Sequence, residues 1–163
     1  MSKDDHSKLV ELLRQFSTAM LVTHEADGRL RARPMAIAQV EDSGKLWFVS
    51  GDDTAKVHEI IVDTRVHLTL QKDRSVYLSI NGHATLIHDR AKVDEVWNES
   101  FKVWFQEGKS DPNLVLISVE PEDAEYWDNH GWKKVKYLFQ AAKAYLTHST
   151  PEIEEDKHGM LKL

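Results

Sequence analysis

Arg29, Arg31 and Arg33 alternate along the run Arg29-Leu30-Arg31-Ala32-Arg33-Pro34-Met35-Ala36, in a chain whose formal net charge is −6. A period of two puts the three guanidinium groups on one strand face. Such a stripe either grips an anion or is a solvated strand face beside a turn. Pro34 donates no ladder hydrogen bond, so it marks a strand edge or a barrel opening where backbone is free to meet a ligand. A second cluster, Ser50-Gly51-Asp52-Asp53-Thr54-Ala55-Lys56, follows Trp47-Phe48-Val49 and reads as strand end, loop and helix start. Two hydroxyls, an ammonium and the free amides of a first helical turn suit a phosphate. The competing reading makes Asp52 or Asp53 a helix cap and the whole segment structural.

The rest of the inventory excludes more than it offers. There is no cysteine, hence no disulfide, thiolate metal site, iron–sulfur cluster or cysteine nucleophile, and redox chemistry would need a borrowed cofactor. Nine histidines are present, but no HExxH, His-x-His or helical His-x-x-x-His pair, so no metal site is expected. No Gly-x-Ser-x-Gly elbow, GxGxxG or P-loop occurs. Trp97, Phe101, Trp104 and Phe105 recur at helical spacing, which suits core, a subunit interface or a stacking wall for a flat ring.

These residues need a scaffold. At 163 residues the chain suits one domain, and its acidic balance opposes a large nucleic-acid footprint. No apolar span approaches bilayer length, and the acidic, amphipathic N-terminus does not read as a secretory signal, so the expected location is the cytoplasm. Leu9, Leu12, Leu13 and Phe16 predict a helix over about 5–16, capped by Asp4 or Asp5. Runs 19–23, 30–40 and 45–50, separated by Asp- and Gly-bearing turns, predict an antiparallel meander. Val57, Ile60 and Ile61 predict a short helix, then 66–70 and 76–87 return to strand, with a bulge or bend at Asn81-Gly82. One aromatic-faced helix over 93–105 follows, then a buried strand at 114–119, another at 124–127 and a helix near 134–146. The expected fold is mainly β with peripheral helices: a small antiparallel barrel of six or seven strands with about four helices, over 1–146. The acidic segment 147–163 is expected to be a disordered tail.

Taken in order, Gly28-Arg29, Arg31-Ala32-Arg33-Pro34-Met35, Lys45-Leu46-Trp47-Phe48, Lys56-Val57, Arg65-Val66, Val76-Tyr77-Leu78-Ser79-Ile80-Asn81-Gly82-His83-Ala84 and Ala124-Glu125-Tyr126-Trp127-Asp128 resemble the FMN-binding split-barrel superfamily. Within it the chain looks most like the general stress protein group of pyridoxamine 5′-phosphate oxidase-like proteins. The resemblance implies a homodimer with FMN, or FAD as the alternative, at the subunit interface, with neither nucleic acid nor membrane as partner. It implies that Arg33 and Lys56 hold the phosphate with Ser50 and Thr54 as hydroxyl donors, and that Pro34, Met35, Phe48 and Val49 lie along the isoalloxazine. Tyr77 and Ser79 are further candidates, and Trp97, Trp104 and Trp127 are candidates for the partner-side wall. The Arg-Leu-x-Pro-type ending of the B6 oxidases is absent, which argues against vitamin B6 oxidation. A low-specificity flavin-dependent oxidoreductase and a non-catalytic flavin carrier or redox sensor are the two readings that follow.

Overall fold

The computed structural model describes residues 3–128 and 158–162. The elements are α1 (Lys3–Leu13), β1 (Thr18–His24), β2 (Leu30–Val40), β3 (Leu46–Gly51), α2 (Ala55–Val62), β4 (Arg65–Lys72), β5 (Val76–Ile87), α3 (Arg90–Val96), β6 (Leu114–Asp128) and β7 (His158–Lys162). Two 3-10 turns, Glu99–Val103 and Gly108–Ser110, lie between α3 and β6. The strands run in the order β3-β2-β1-β4-β5-β6-β7, every pairing among the described residues is antiparallel, and β3 also pairs with β6. That last pairing closes β1–β6 into a barrel, the mainly β antiparallel barrel expected from the meander turns and the split barrel that the family resemblance implies.

Alternation fills the barrel. Ala19 and Leu21 of β1, Leu68 and Leu70 of β4, Leu78 and Ile80 of β5, and Val115, Ile117 and Val119 of β6 point inward into one core. Helix α1 adds Leu9, Leu12 and Leu13, and Phe16 just after it joins them, from the end that carries the β2–β3 turn, where His6 meets the Asp42 carbonyl at 2.7 Å. Val57 and Ile60 of α2 enter from the other end, where Glu59 meets Thr23. The run Leu114–Val119 is buried throughout because alternate residues serve two cores: Leu114 and Leu116 face outward into a smaller one with Trp47, Val93, Val96, Phe101 and Phe105. Lys92 straps that core shut, its ammonium on Glu41 and Glu95 (both 2.9 Å) and 4.5 Å over the Trp47 ring.

Several elements differ from the sequence expectation. The helix over 93–105 breaks: α3 stops at Val96, Asn98 caps a 3-10 turn by accepting from the Ser100 amide, and the aromatic residues leave one helical face. The strands at 114–119 and 124–127 are one strand, β6, bent where its register with β5 shifts between Asn81 and Gly82. Asp4 and Asp5 lie inside the first turn of α1, and the residue before α2 is Thr54, with neither Asp52 nor Asp53 as cap. Residues 158–162 of the expected tail form β7 against Asp123–Trp127 of β6, which corrects the disorder expectation there. The expected helix near 134–146 and the remainder of the tail lie outside the described residues. No helix among the described residues is long and apolar enough to cross a membrane.

Candidate functional site

The barrel opens where β2 and β3 part. Their pairing runs from Val40↔Leu46 to Ile37↔Phe48 and stops, while β2 continues on β1 back to Leu30 and β3 continues on β6 to Gly51. Each strand therefore has a stretch with one unpaired edge. The Ile37 amide donates to Ser17 on the β1 side at 2.9 Å, so alternation turns the Pro34 carbonyl and the Ala36 amide and carbonyl toward the open side. Between the two edges lies a cavity of about 460 Å³. Arg33 to Ala36 line one wall, Val49 to Gly51 another, Asp53, Thr54 and Lys56 one end, and Phe101, Trp104, Phe105 and Asn113 the remaining side.

The polar end is built by the β3–α2 loop. Lys56 Nζ donates to Ser50 Oγ at 3.0 Å, Ser50 Oγ lies 3.2 Å from Thr54 Oγ1, and Thr54 Oγ1 donates to the Gly51 carbonyl at 2.8 Å. The amides of Ala55 and Lys56 belong to a first helical turn, which has no partner within its own helix. Asn113 pins the loop: its Nδ2 donates to Asp53 Oδ1 at 2.9 Å and its carbonyl accepts from the Asp52 amide at 2.7 Å. A Cβ on Gly51 would stand 3.0 Å from Asn113 Nδ2 and 3.1 Å from Asp53 Oδ1, so the side chains that pin the loop would have to give to admit one. Burial, and then the neighbouring Arg33 charge, hold the Lys56 ammonium below its ordinary lysine value, with Asp53 and Glu59 pulling partly back.

The arginine stripe points somewhere the sequence did not indicate. Arg31 and Arg33 stand opposite Thr23 and Leu21 of β1, both facing the barrel interior, and meet the α2 carboxylate of Glu59 there. Arg33 Nη2 donates to Glu59 Oε2 at 2.8 Å, and its Nη1 donates to Thr23 Oγ1 and, at 3.5 Å, to the Leu21 carbonyl. Thr23 in turn donates to Glu59, and Arg31 lies 3.5 Å from the other Glu59 oxygen. Burial raises the Glu59 carboxyl, but hydrogen bonds from Thr23 and Arg33 and the Arg33 charge outweigh it and hold the group below the usual carboxylate range. Arg29 is more exposed and pairs with Asp27 and Glu25.

Residues 4–152 match the family described as pyridoxamine 5′-phosphate oxidase like. The chain belongs to this family. General stress protein 26 of Bacillus subtilis (strain 168) is 28% identical over 125 residues, which cover 74% of this chain and 86% of the relative. The crystal structure of the general stress FMN/FAD binding protein from Xanthomonas citri is 32% identical with a TM-score of 0.67, over 80% of this chain and 92% of that one. That of a candidate general stress protein 26 from Jannaschia sp. CCS1 aligns over 98% of both chains, at 25% identity and a TM-score of 0.70.

In this member of the pyridoxamine 5′-phosphate oxidase-like family, Arg33, Pro34, Met35, Val49, Ser50, Thr54, Lys56 and Trp104 come together around the one cavity. Phe48 does not join them; it is sealed in the barrel core. Tyr77 and Ser79 line a separate cavity on the outer face of β1, β4 and β5, with Met20, Thr69 and Trp127. Trp97 packs edge-on against Phe101 at 5.8 Å and donates from its indole nitrogen to Glu99, away from the cavity. Arg31 is turned to Glu59 and Glu25 and does not line it. Sequence reasoning missed Glu59, Thr23 and Asn113. Glu59 had one visible signal, its position three residues after Lys56 on the same helix.

Proposed function

We infer that this protein binds FMN non-covalently in the cavity between β2 and β3. The observation that carries this reading is the pairing of two unlike ends in one open cavity. One end offers the Lys56 ammonium, the Ser50 and Thr54 hydroxyls and the Arg33 guanidinium, a set suited to a phosphate. The other offers Pro34, Met35, Val49, Phe101, Trp104 and Phe105, apolar and aromatic surface suited to a tricyclic ring. Unpaired backbone of Pro34 and Ala36 lies between them, where a ring's polar edge would find hydrogen-bond partners. The Xanthomonas citri relative, an FMN/FAD binding protein, supports the same ligand class.

Bound flavin would supply the electron and hydride chemistry, so the protein's part is to hold phosphate, ring and solvent in place. This fits a lining that contains no histidine or tyrosine. The proposal extends to a homodimer whose partner covers the open side of each cavity. A low-specificity oxidoreductase is the activity expected of such an arrangement. Reduction of bound flavin by NADH or NADPH and its repeated reoxidation separate that activity from a carrier or sensor.

The test is an absorbance scan of the purified protein, then FMN titration followed by tryptophan fluorescence, since Trp104 stands at the cavity mouth. Saturable quenching at stoichiometric FMN is expected, and Lys56→Ala should weaken it at least tenfold, about the worth of one charge-assisted contact. A protein that is colourless as purified and unaffected by FMN or FAD would overturn the reading.

A further inference from the structure

Two cations reach the polar end of the cavity, and their surroundings differ. Arg33 is 18% exposed and spends three of its N–H donors on Glu59, Thr23 and the Leu21 carbonyl. Glu59 is 10% exposed, and Arg33 and Arg31 are the cations within ion-pair reach of it among the described residues. Lys56 has Ser50 Oγ as its hydrogen-bond partner and no carboxylate within ion-pair distance among the described residues. The helix that carries Lys56 thus also carries the acid that neutralises the arginine.

We propose that Glu59 is the charge-setting residue of the cavity: it fixes Arg33 as a neutralised hydrogen-bond donor and leaves Lys56, which among the described residues has no ion-pair partner and only the more distant Asp53 carboxylate on its wall, as the cation that an anionic ligand meets. Three features follow from that arrangement. The Arg33 fork cannot swing to follow a ligand, because Thr23, itself fully buried, donates to the same Glu59 oxygen that Arg33 binds. The electrostatic advantage of a phosphorylated flavin over an unphosphorylated one comes through Lys56. Loss of the Glu59 charge exposes a second full positive charge to the ligand at close range, where solvent screens it only in part. Glu59 acts through Arg33 and is a positioning residue, not a ligand contact.

The inference rests on the phosphate end of the site proposed above, and its test separates the two. FMN, riboflavin and inorganic pyrophosphate are titrated by tryptophan fluorescence at several salt concentrations, with wild type, Glu59→Gln, Glu59→Asp and Lys56→Ala. Glu59→Gln keeps an acceptor for Thr23 and Arg33 but drops the charge. It should tighten FMN about fivefold at low salt, steepen the loss of affinity with salt and leave riboflavin unmoved. Glu59→Asp should restore the wild-type salt dependence. Lys56→Ala, with the Arg33–Glu59 pair intact, should lose most of the preference for FMN over riboflavin, and this arm holds even if Glu59→Gln does not fold.

FMN affinity unchanged in Glu59→Gln, equal loss of FMN and riboflavin in a folded Glu59→Gln, or a preference for FMN that survives in Lys56→Ala would each overturn the inference while leaving flavin binding intact. Wild type that ignores both flavins but binds pyrophosphate more tightly after Glu59→Gln would overturn the flavin reading and support this one. Failure of all three ligands with every variant would overturn both.

Discussion

At the scale of single residues, Lys56 ties the site to pH. Its ammonium is held below the ordinary lysine value of 10.5, first by burial and then by Arg33. The protonated form attracts a phosphate and the neutral form does not. FMN affinity should therefore be steady at neutral pH and fall as pH rises through a value below the usual lysine range; bound phosphate, by stabilising the charge, pushes that value back up. Fluorescence titrations across the alkaline range check this. The alkaline fall should vanish in Lys56→Met, which keeps the apolar stem. Most of these residues were legible in the sequence because their signals are local: two hydroxyls and a lysine within one loop, a proline beside alternating arginines. The sequence did not indicate that Arg33 would be spent on Glu59. That contact joins residues 26 apart, and period two fixes which side chains share a strand face but not whether that face is inside or out.

Among the elements, the turns and strands were read well where Gly and Asp punctuate alternating runs, and less well where packing overrides period. The Trp97–Phe105 spacing is helical, yet Val96 ends α3 because Asn98 caps a new turn and Phe101 and Phe105 are drawn into the core that Trp47 and Leu116 begin. Tertiary burial decided what periodicity left ambiguous. An irregularity at Asn81-Gly82 was legible, but the extra residue is Glu122 of β6, since Asn81 pairs with Asp123 and Gly82 with Pro121; the close approach there admits no side chain at 82, where a Cβ would stand 2.3 Å from the Glu120 carbonyl oxygen. Relief would require β5 and β6 to separate at the point where β6 leaves the closed barrel for its pairing with β7. Gly82→Ala should destabilise the fold by roughly 2–4 kcal/mol, the range of strain and packing losses. Urea unfolding followed by far-UV circular dichroism measures it. A loss under 0.5 kcal/mol, the scale of an ordinary surface change, would mean that the strands yield without cost.

For the whole molecule, the alternation that turns Arg31 and Arg33 inward turns Leu30, Ala32, Pro34 and Ala36 outward, beside Met20 and Val22 of β1. Leu30 is 66% exposed and Met20 38%, and the side chains of Ala32, Pro34 and Ala36 between them are small and uncharged, at the edge of the cavity. Trp104, 69% exposed, stands across the cavity with Val103 at 79%. Apolar surface on both sides of a ligand site that is open on one side is the pattern expected where a second subunit completes the site. The proposed dimer makes a prediction that a monomeric flavoprotein would not share. Ala32 faces outward and does not line the cavity, so Ala32→Glu leaves Arg33, Lys56 and the β3–α2 loop untouched and should fold with the wild-type circular dichroism spectrum. A carboxylate buried there against its symmetry mate would face both desolvation and like-charge repulsion. Sedimentation equilibrium should show the wild type as a dimer and Ala32→Glu as a monomer, and FMN affinity should fall by more than tenfold with the dimer, although no ligand-lining residue has changed. If Ala32→Glu remains dimeric, this surface is not the interface. If it becomes monomeric and still binds FMN as tightly, the partner is not part of the site, and the cavity between β2 and β3 holds its ligand alone.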